Sequence, residues 1–246
     1  VKRIELFKCP LDIATMQETV DAIEERVGHG QFTQHVGVNV AKLVSMQADG
    51  KLAESVRHCD IVSIDGMGVV FGARFLGYDV AERVTGIDLF HRLLGMSARR
   101  GWPVYFLGAS EEVVQRTAEI TARANPGLQV AGFHHGYFWD DERAIVDDIR
   151  RSGARLLFVA ITSPMKENFI YRWNQELGVD FVMGVGGTFD VVAGKVSRAP
   201  LWMQRAGFEW LYRVIQEPRR MWKRYLSSNL RFAWMLCTAR LGPQRA

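Results

Sequence analysis

Cysteine is scarce in this chain. The three present among 246 residues, Cys9, Cys59 and Cys237, are odd in number and far apart, and no Cys-x-x-Cys occurs. Neither a disulfide framework nor a zinc knuckle is indicated, and a reducing compartment is the simplest expectation. Long apolar runs are missing too. None approaches the roughly 20 residues that a membrane-spanning helix needs. The opening Val1-Lys2-Arg3-Ile4-Glu5 brings an acidic residue before any long apolar stretch, unlike a signal peptide. There is no Gly-x-Gly-x-x-Gly, no P-loop, no Gly-x-Ser-x-Gly elbow and no Asp-x-Asp. These absences count against a dinucleotide-dependent oxidoreductase, a P-loop nucleotidase and a serine hydrolase. Internal repeats and low-complexity linkers are lacking as well.

What is present is an ordinary globular composition, 48% hydrophobic and 24% charged, of a length that suits one large α/β domain or one domain with an appendage. The net charge of +4 conceals a split. From Lys195 onward there are eleven Lys/Arg against Glu209 and Glu217, a net of +9. The first 194 residues keep 20 of the 31 basic and 25 of the 27 acidic residues, a net of −5. The same tail holds four of the seven tryptophans, Trp202, Trp210, Trp222 and Trp234. An acidic body with a basic, aromatic tail aimed at an anionic partner is the reading.

Hydrophobic periodicity predicts a helix over 11–27, a strand over 34–40 ending near Asn39, helices over 41–48 and on to 58, and a strand over 60–65. Further on it predicts helices over 86–100, 111–124, 140–151 and 165–177, and strands over 102–107, 128–133, 155–161 and 180–185. A short helical piece follows residue 188. From about 199 the pattern is helical, interrupted at Pro218. Strand and helix alternate over the first 194 residues, which predicts an α/β, Rossmann-like, doubly wound and mostly parallel sheet. We expect residues 1–195 to form that body and 196–246 a helical, basic C-terminal appendage.

In such sheets ligands bind outside the carboxyl ends of the strands. Asp65 stands there, followed by Gly66 and Gly68, where it is either a general base or a turn residue capping the next helix. Asn39 would share its rim if the two strands are neighbours. The glycine-rich ends Gly184-Val185-Gly186-Gly187-Thr188 and Phe106-Leu107-Gly108 suit phosphate or a nucleobase edge, or are simply tight turns. Asp65, Glu82, Asp88, Glu167 and Asp190 all fall at strand ends or loops. Without Asp-x-Asp, the usual way to hold a divalent ion on a diphosphate is missing, and no metal is expected. The adjacent His134 and His135 do not converge as a metal pair would. Arg220, Arg224 and Arg231 share a face if their segment is one helix, with Trp222, Leu226, Leu230 and Trp234 among them. That arrangement suits an anionic membrane surface; the alternative is a solvated charged face. No nucleic-acid motif accompanies the charge.

Several stretches together resemble one family. They are Asn39, Asp65-Gly66-Met67-Gly68-Val69, the run Glu82 to Leu89, Phe106-Leu107-Gly108, Gly136-Tyr137-Phe138, the run Gly184 to Asp190, Arg198-Ala199-Pro200, the run Glu209 to Arg213, and Glu217-Pro218-Arg219-Arg220. In order and with matching gaps from about residue 36 to 224, they resemble the WecG/TagA/CpsF glycosyltransferases. The resemblance implies an inverting, metal-independent transferase without cofactor. It would move a hexose-type sugar from a UDP-sugar onto a sugar linked to undecaprenyl diphosphate, in bacterial surface polysaccharide synthesis. It would sit peripherally on the cytoplasmic face of the cell membrane.

Carried over to these positions, Asp65 is the general base, with Asn39 and Arg83 in the same pocket. Gly66, Gly108, Tyr137, Lys166 and Glu167 are assigned to substrate binding, as are Gly186, Gly187, Thr188 and Asp190 at the nucleotide. Arg213, Arg219 and Arg220 would cover the site and neutralise diphosphate charge. The family shows Pro-Lys-Gln-Glu where this chain has Pro164-Met165-Lys166-Glu167. Lys166, on this pattern, either touches the donor sugar or pairs with Glu167. A homo-oligomer is also an expectation, since exposed aromatics invite self-association. A non-catalytic membrane adaptor, which would need no pocket, remains the competing class.

Overall fold

The structure, a computed structural model, describes residues 1–241, with the side chains of Arg220, Met221 and Arg224 outside that description. Eight strands form one sheet: β1 (Lys2–Leu6), β2 (Cys9–Ile13), β3 (Thr33–Val38), β4 (Ile61–Ile64), β5 (Val104–Gly108), β6 (Val130–His134), β7 (Leu156–Ala160) and β8 (Phe181–Gly184). Their spatial order is β1-β2-β4-β3-β8-β7-β5-β6. Every pairing is parallel except the β1–β2 hairpin. This is the mostly parallel α/β sheet that the alternation predicted.

Burial on both faces explains the continuous apolar strands. On β7, Leu156, Phe158 and Ala160 face one core, and Leu157 and Val159 face another. The first face carries α1 (Met16–Gly28), α5 (Gly86–Arg100), α6 (Glu111–Ala124) and α9 (Thr188–Val192). The second carries α2 (Val40–Met46), α3 (Gly50–Arg57) and α4 (Met67–Phe75) against β3 and β4. Beside them α7 (Glu142–Ser152) and α8 (Met165–Trp173) cover β5, β7 and β8. The chain leaves β3 for α2 on one face and β8 for α9 on the other. A crevice therefore opens between two adjacent strand ends, the position at which doubly wound sheets bind ligands.

Three sequence expectations change. Residues 11–13 belong to strand β2, because alternate burial of Cys9 and Leu11 in the hairpin overrides the helical spacing. Helix α1 starts at Met16, behind a capping box between Thr15 and Glu18. The helix expected to reach 177 ends at Trp173.

The C-terminal segment forms α10 (Leu201–Arg205), α11 (Glu209–Gln216) and α12 (Pro218–Leu241). Pro218 opens α12, where its missing N–H costs nothing. Phe232 of α12 is buried at 5% exposure and packs edge-on to Phe7 of the hairpin turn. A Cβ on Gly72 of α4 would lie 2.5 Å from the Phe232 ring, so only glycine lets the two helices approach this closely. The opposite face of α12 is open: Leu226, Leu230 and Trp234, four apart, are 52%, 63% and 70% exposed. Among the described residues, no helix is long and apolar enough to cross a membrane.

Candidate active site

Strands β3 and β4 are neighbours, with Val38 opposite Ile64, so Asn39 and Asp65 emerge side by side on one rim. The Asp65 amide donates to Val38 O at 2.9 Å, and a Cβ on Gly66 would lie 3.1 Å from Asn39 Cβ. Gly37, also on β3, matters equally: a Cβ there would stand 3.1 Å from Asp65 Cβ. A side chain at 37 would press on the carboxylate.

Asp65 does not cap the helix that follows it. Gly66 is the N-cap of α4 and makes no side-chain cap bond. Instead Asp65 Oδ1 accepts from Gly86 N at 2.9 Å, the first turn of α5, on the sheet face that Asp65 shares with Gly37. Among the described residues Oδ2 has no hydrogen-bond partner. Asp65 is half-buried, with one oxygen anchored and the other open.

Asn39 is the N-cap of α2, its Oδ1 accepting from Lys42 N at 3.0 Å. The amide nitrogen remains for a ligand. Lys42 then reaches inward, its Nζ 2.7 Å from Glu167 Oε1, and Lys166 Nζ lies 3.0 Å from the same oxygen. Burial pushes the Glu167 carboxyl up, but the two ammonium groups outweigh it and hold the group well below its ordinary range. Lys166 is 6% exposed and Glu167 3%. The aliphatic stem of Lys166 lies along Gly184, where a Cβ would meet it at 2.7 Å. Of the two roles open to Lys166, the geometry shows the pairing with Glu167. Both side chains sit beneath the rim rather than on it.

Arg83 joins Asp65 through the segment ahead of α5. Val84 N donates to Ile64 O at 2.9 Å, continuing the β4 edge beyond β2, and Thr85 caps α5 through Asp88 N. Arg83 Nη1 donates to Glu209 Oε2 of α11 at 2.5 Å and Nη2 to Gln204 O at 3.3 Å. Arg198 approaches the other Glu209 oxygen at 3.7 Å and grips Asp88 with two bonds of 2.7 Å. The Arg198 guanidinium holds the Asp88 carboxyl below its usual range, against partial burial and with help from Thr85. Sequence reasoning gave Glu209, Arg198 and Gly37 no role. The first two stood inside stretches that carry the resemblance, which was the available signal.

The loop after β8 lies across the crevice, on the other side of β3. Gly186 has φ +55°, and a Cβ on Gly186 or Gly187 would meet nothing within 4 Å, so this backbone is open to a ligand. Thr188 Oγ1 is bonded to Val185 O at 2.8 Å, and Asp190 is half-buried, 3.8 Å from Lys195.

Gly108 and Tyr137 are not brought to Asp65. They belong to β5 and the loop after β6, beyond β3, β8 and β7. Gly108, with φ +122°, is required because a Cβ would lie 2.5 Å from Ala160 O, which favours the tight-turn reading. Tyr137 is 75% exposed, and its amide donates to His135 Nδ1. His134 ends β6 as a strand residue. Arg213 and Arg219 are exposed, Arg213 one turn along α11 from Glu209. Arg220 lies in α12 with its side chain outside the described residues. Among the described residues no group of three His, Cys, Asp or Glu is placed to hold a metal ion.

Comparison with known proteins gives the family. The family model described as "Glycosyl transferase WecG/TagA/CpsF family" matches residues 4–246. An N-acetylglucosaminyldiphosphoundecaprenol N-acetyl-beta-D-mannosaminyltransferase of Bacillus spizizenii is 37% identical over 168 residues, 68% of this chain and 65% of that protein. The protein of the same name from Bacillus subtilis is 35% identical over 163 residues, 66% of this chain and 63% of its own length. The matches thus span slightly under two thirds of these relatives. With the family model covering the chain almost end to end, the chain belongs to the WecG/TagA/CpsF family of glycosyl transferases.

Proposed function

We propose that this protein is an inverting glycosyltransferase. It moves a hexose-type sugar from a UDP-sugar onto a sugar carried by undecaprenyl diphosphate, in bacterial surface polysaccharide synthesis, with Asp65 as the general base. The observation that carries the reading is the Asp65 carboxylate, one oxygen fixed by the α5 N-terminus and the other open beside Asn39. The acceptor hydroxyl gives its proton to Oδ2. Its oxygen forms the bond to the anomeric carbon as the bond to the UDP oxygen breaks, and UDP leaves with that electron pair. The open backbone at Gly186 and Gly187, across β3 from Asp65, suits the UDP diphosphate. Holding base and leaving group on opposite sides of β3 fits an in-line, inverting displacement.

Charge on the departing diphosphate is met by Arg213, Arg219 and Arg220 of the appendage, and no step calls on a metal. The exposed Leu226, Leu230 and Trp234 of α12, with the basic charge of the tail, suit peripheral attachment to an anionic membrane. The relatives' printed name, with its diphosphoundecaprenol acceptor, supports a lipid-linked acceptor here.

The test is incubation of the protein with a panel of UDP-sugars and a polyprenyl-diphosphate-linked N-acetylglucosamine. UDP release is followed and the lipid product weighed by mass spectrometry. Transfer from one donor, with inversion at the anomeric carbon, is expected. Silence with every donor overturns the proposal.

A further inference from the structure

A second feature lies on the far side of Asp65 from the 186–190 loop. The first turns of α4, the segment 81–83 and α10 enclose an open cleft of about 360 Å³. Its floor is apolar, from Met67 and Val70 on α4, with Leu201 at its edge. Its charges are three arginines, Arg74, Arg83 and Arg205, and the carboxylate of Glu82; Arg83 is already paired with Glu209, which leaves Arg74 and Arg205 facing Glu82. Glu82 Oε1 already accepts from Met16 N at the start of α1. Arg74 spends Nε and Nη2 on Val80 O and Ala81 O, leaving Nη1. Arg205 makes no hydrogen bond or ion pair with any described residue. Beside the cleft stands an apolar shelf: Leu201 is 67% exposed, Trp202 65% and Phe71 54%.

We infer that this cleft holds the diphosphate of the lipid-linked acceptor, with the first isoprene units lying on the shelf. The inference rests on the transferase reading and assigns its acceptor side. Guanidinium groups without enough carboxylates call for an anion, and their planar forks match phosphate oxygens. The apolar floor offers nothing to a uracil edge or a ribose, which disfavours a nucleotide, whereas a prenyl chain is matched by Met67, Leu201 and Trp202.

Position supports the same assignment. In the sheet order, β3 lies between β4 and β8, so the cleft beyond β4 and the loop beyond β8 flank the Asp65–Asn39 rim from opposite sides. Met67, two residues after the base, lines the cleft. An acceptor anchored there reaches Asp65 with its sugar hydroxyl while its lipid points outward.

The experiment uses the full chain and transfer kinetics in a neutral detergent, so that no anionic headgroup is present. Arg205→Glu should raise KM for the lipid-linked acceptor about tenfold or more, leave KM for the UDP-sugar unchanged, and be partly rescued in Arg205→Lys. Geranylgeranyl diphosphate should inhibit competitively against acceptor, inorganic pyrophosphate more weakly, and geranylgeraniol least. An unchanged acceptor KM, or an equal rise in donor KM, overturns the inference while the transferase reading stands. An effect seen only with anionic vesicles assigns Arg205 to headgroups and also overturns it. Absence of any transfer by the unaltered protein defeats the underlying reading instead.

Discussion

Arg83 of the segment before α5 and Glu209 of α11 meet at 2.5 Å, both side chains less than a fifth exposed. This contact joins the α/β body to the C-terminal helices at the rim that carries Asp65. It is continued on the other side of Glu209 by Arg198 and Asp88, and Asp88 belongs to the helix whose first turn anchors Asp65. Seating of α11 is thereby coupled to the geometry around Asp65.

Glu209→Gln tests the coupling. A neutral amide leaves Arg83 and Arg198 without their shared charge. We expect transfer to fall on the order of tenfold to a hundredfold, mostly in kcat, with a stability loss of about 1–3 kcal/mol. Glu209→Asp should restore part of the rate. Steady-state kinetics beside thermal unfolding separate the two effects, and a wild-type rate in Glu209→Gln refutes the coupling.

Asp65→Asn keeps an acceptor for Gly86 N and removes the proposed base. Transfer should drop about 10²- to 10⁴-fold with UDP binding and folding largely kept. Gly37→Ala should act indirectly, because its Cβ would stand 3.1 Å from Asp65 Cβ and displace the carboxylate. Turnover should fall while the melting temperature moves little. UDP release and calorimetric UDP binding check both variants.

The rim was legible in the sequence and its supports were not. Strand ends at Asn39 and Asp65 followed from local patterning, because apolar strands closed by polar residues and glycines read clearly. The carboxylate's anchor at Gly86, 21 residues away, has no periodic signature. The N-terminal hairpin was lost because Leu11 and Ile13 extend the spacing of α1, and only pairing of β2 with β1 and β4 settles their state. Lys166 was legible as a departure but not as a buried one. Its ion pair with Glu167 is local to α8, but the buried cluster is completed by Lys42 of α2, more than a hundred residues away in sequence.

That buried cluster has a pH signature. Burial raises the Glu167 carboxyl, but Lys42 and Lys166 lower it by more, to about 2 from an ordinary 4.5. A folded value below the unfolded one means the group stabilises the fold fully above pH 4.5, and that contribution is lost as pH falls toward about 2. Glu167→Gln should remove this acid-dependent step and cost on the order of 3–5 kcal/mol, since two buried ammonium groups lose their counter-charge. Lys166→Gln should leave the ranking of donor sugars unchanged, because the side chain is buried. Denaturant unfolding between pH 2 and 7 checks the first expectation and a donor panel the second.

The attachment of α12 should be breakable without unfolding the sheet. Phe232→Ala empties a buried ring site and should cost about 3–5 kcal/mol in helix docking. Gly72→Ala places a methyl group 2.5 Å from that ring and should cost about 1–3 kcal/mol. Both should expose the segment 218–241 to limited proteolysis while leaving the remaining body resistant. Equal resistance in the variants and the parent protein contradicts the packing assigned to Phe232.

The opposite face of α12 allows the proposed membrane attachment to be tested apart from folding. Leu226, Leu230 and Trp234 lie on one exposed stripe, so Leu230→Asp with Trp234→Asp removes apolar contact without touching Phe232. Two carboxylates there also repel anionic headgroups. Partition onto vesicles containing about a third phosphatidylglycerol should weaken by roughly tenfold or more, and transfer to a water-soluble acceptor analogue should persist. Vesicle binding as strong as that of the parent protein places the contact elsewhere. Loss of both binding and soluble transfer means that the stripe supports the site itself.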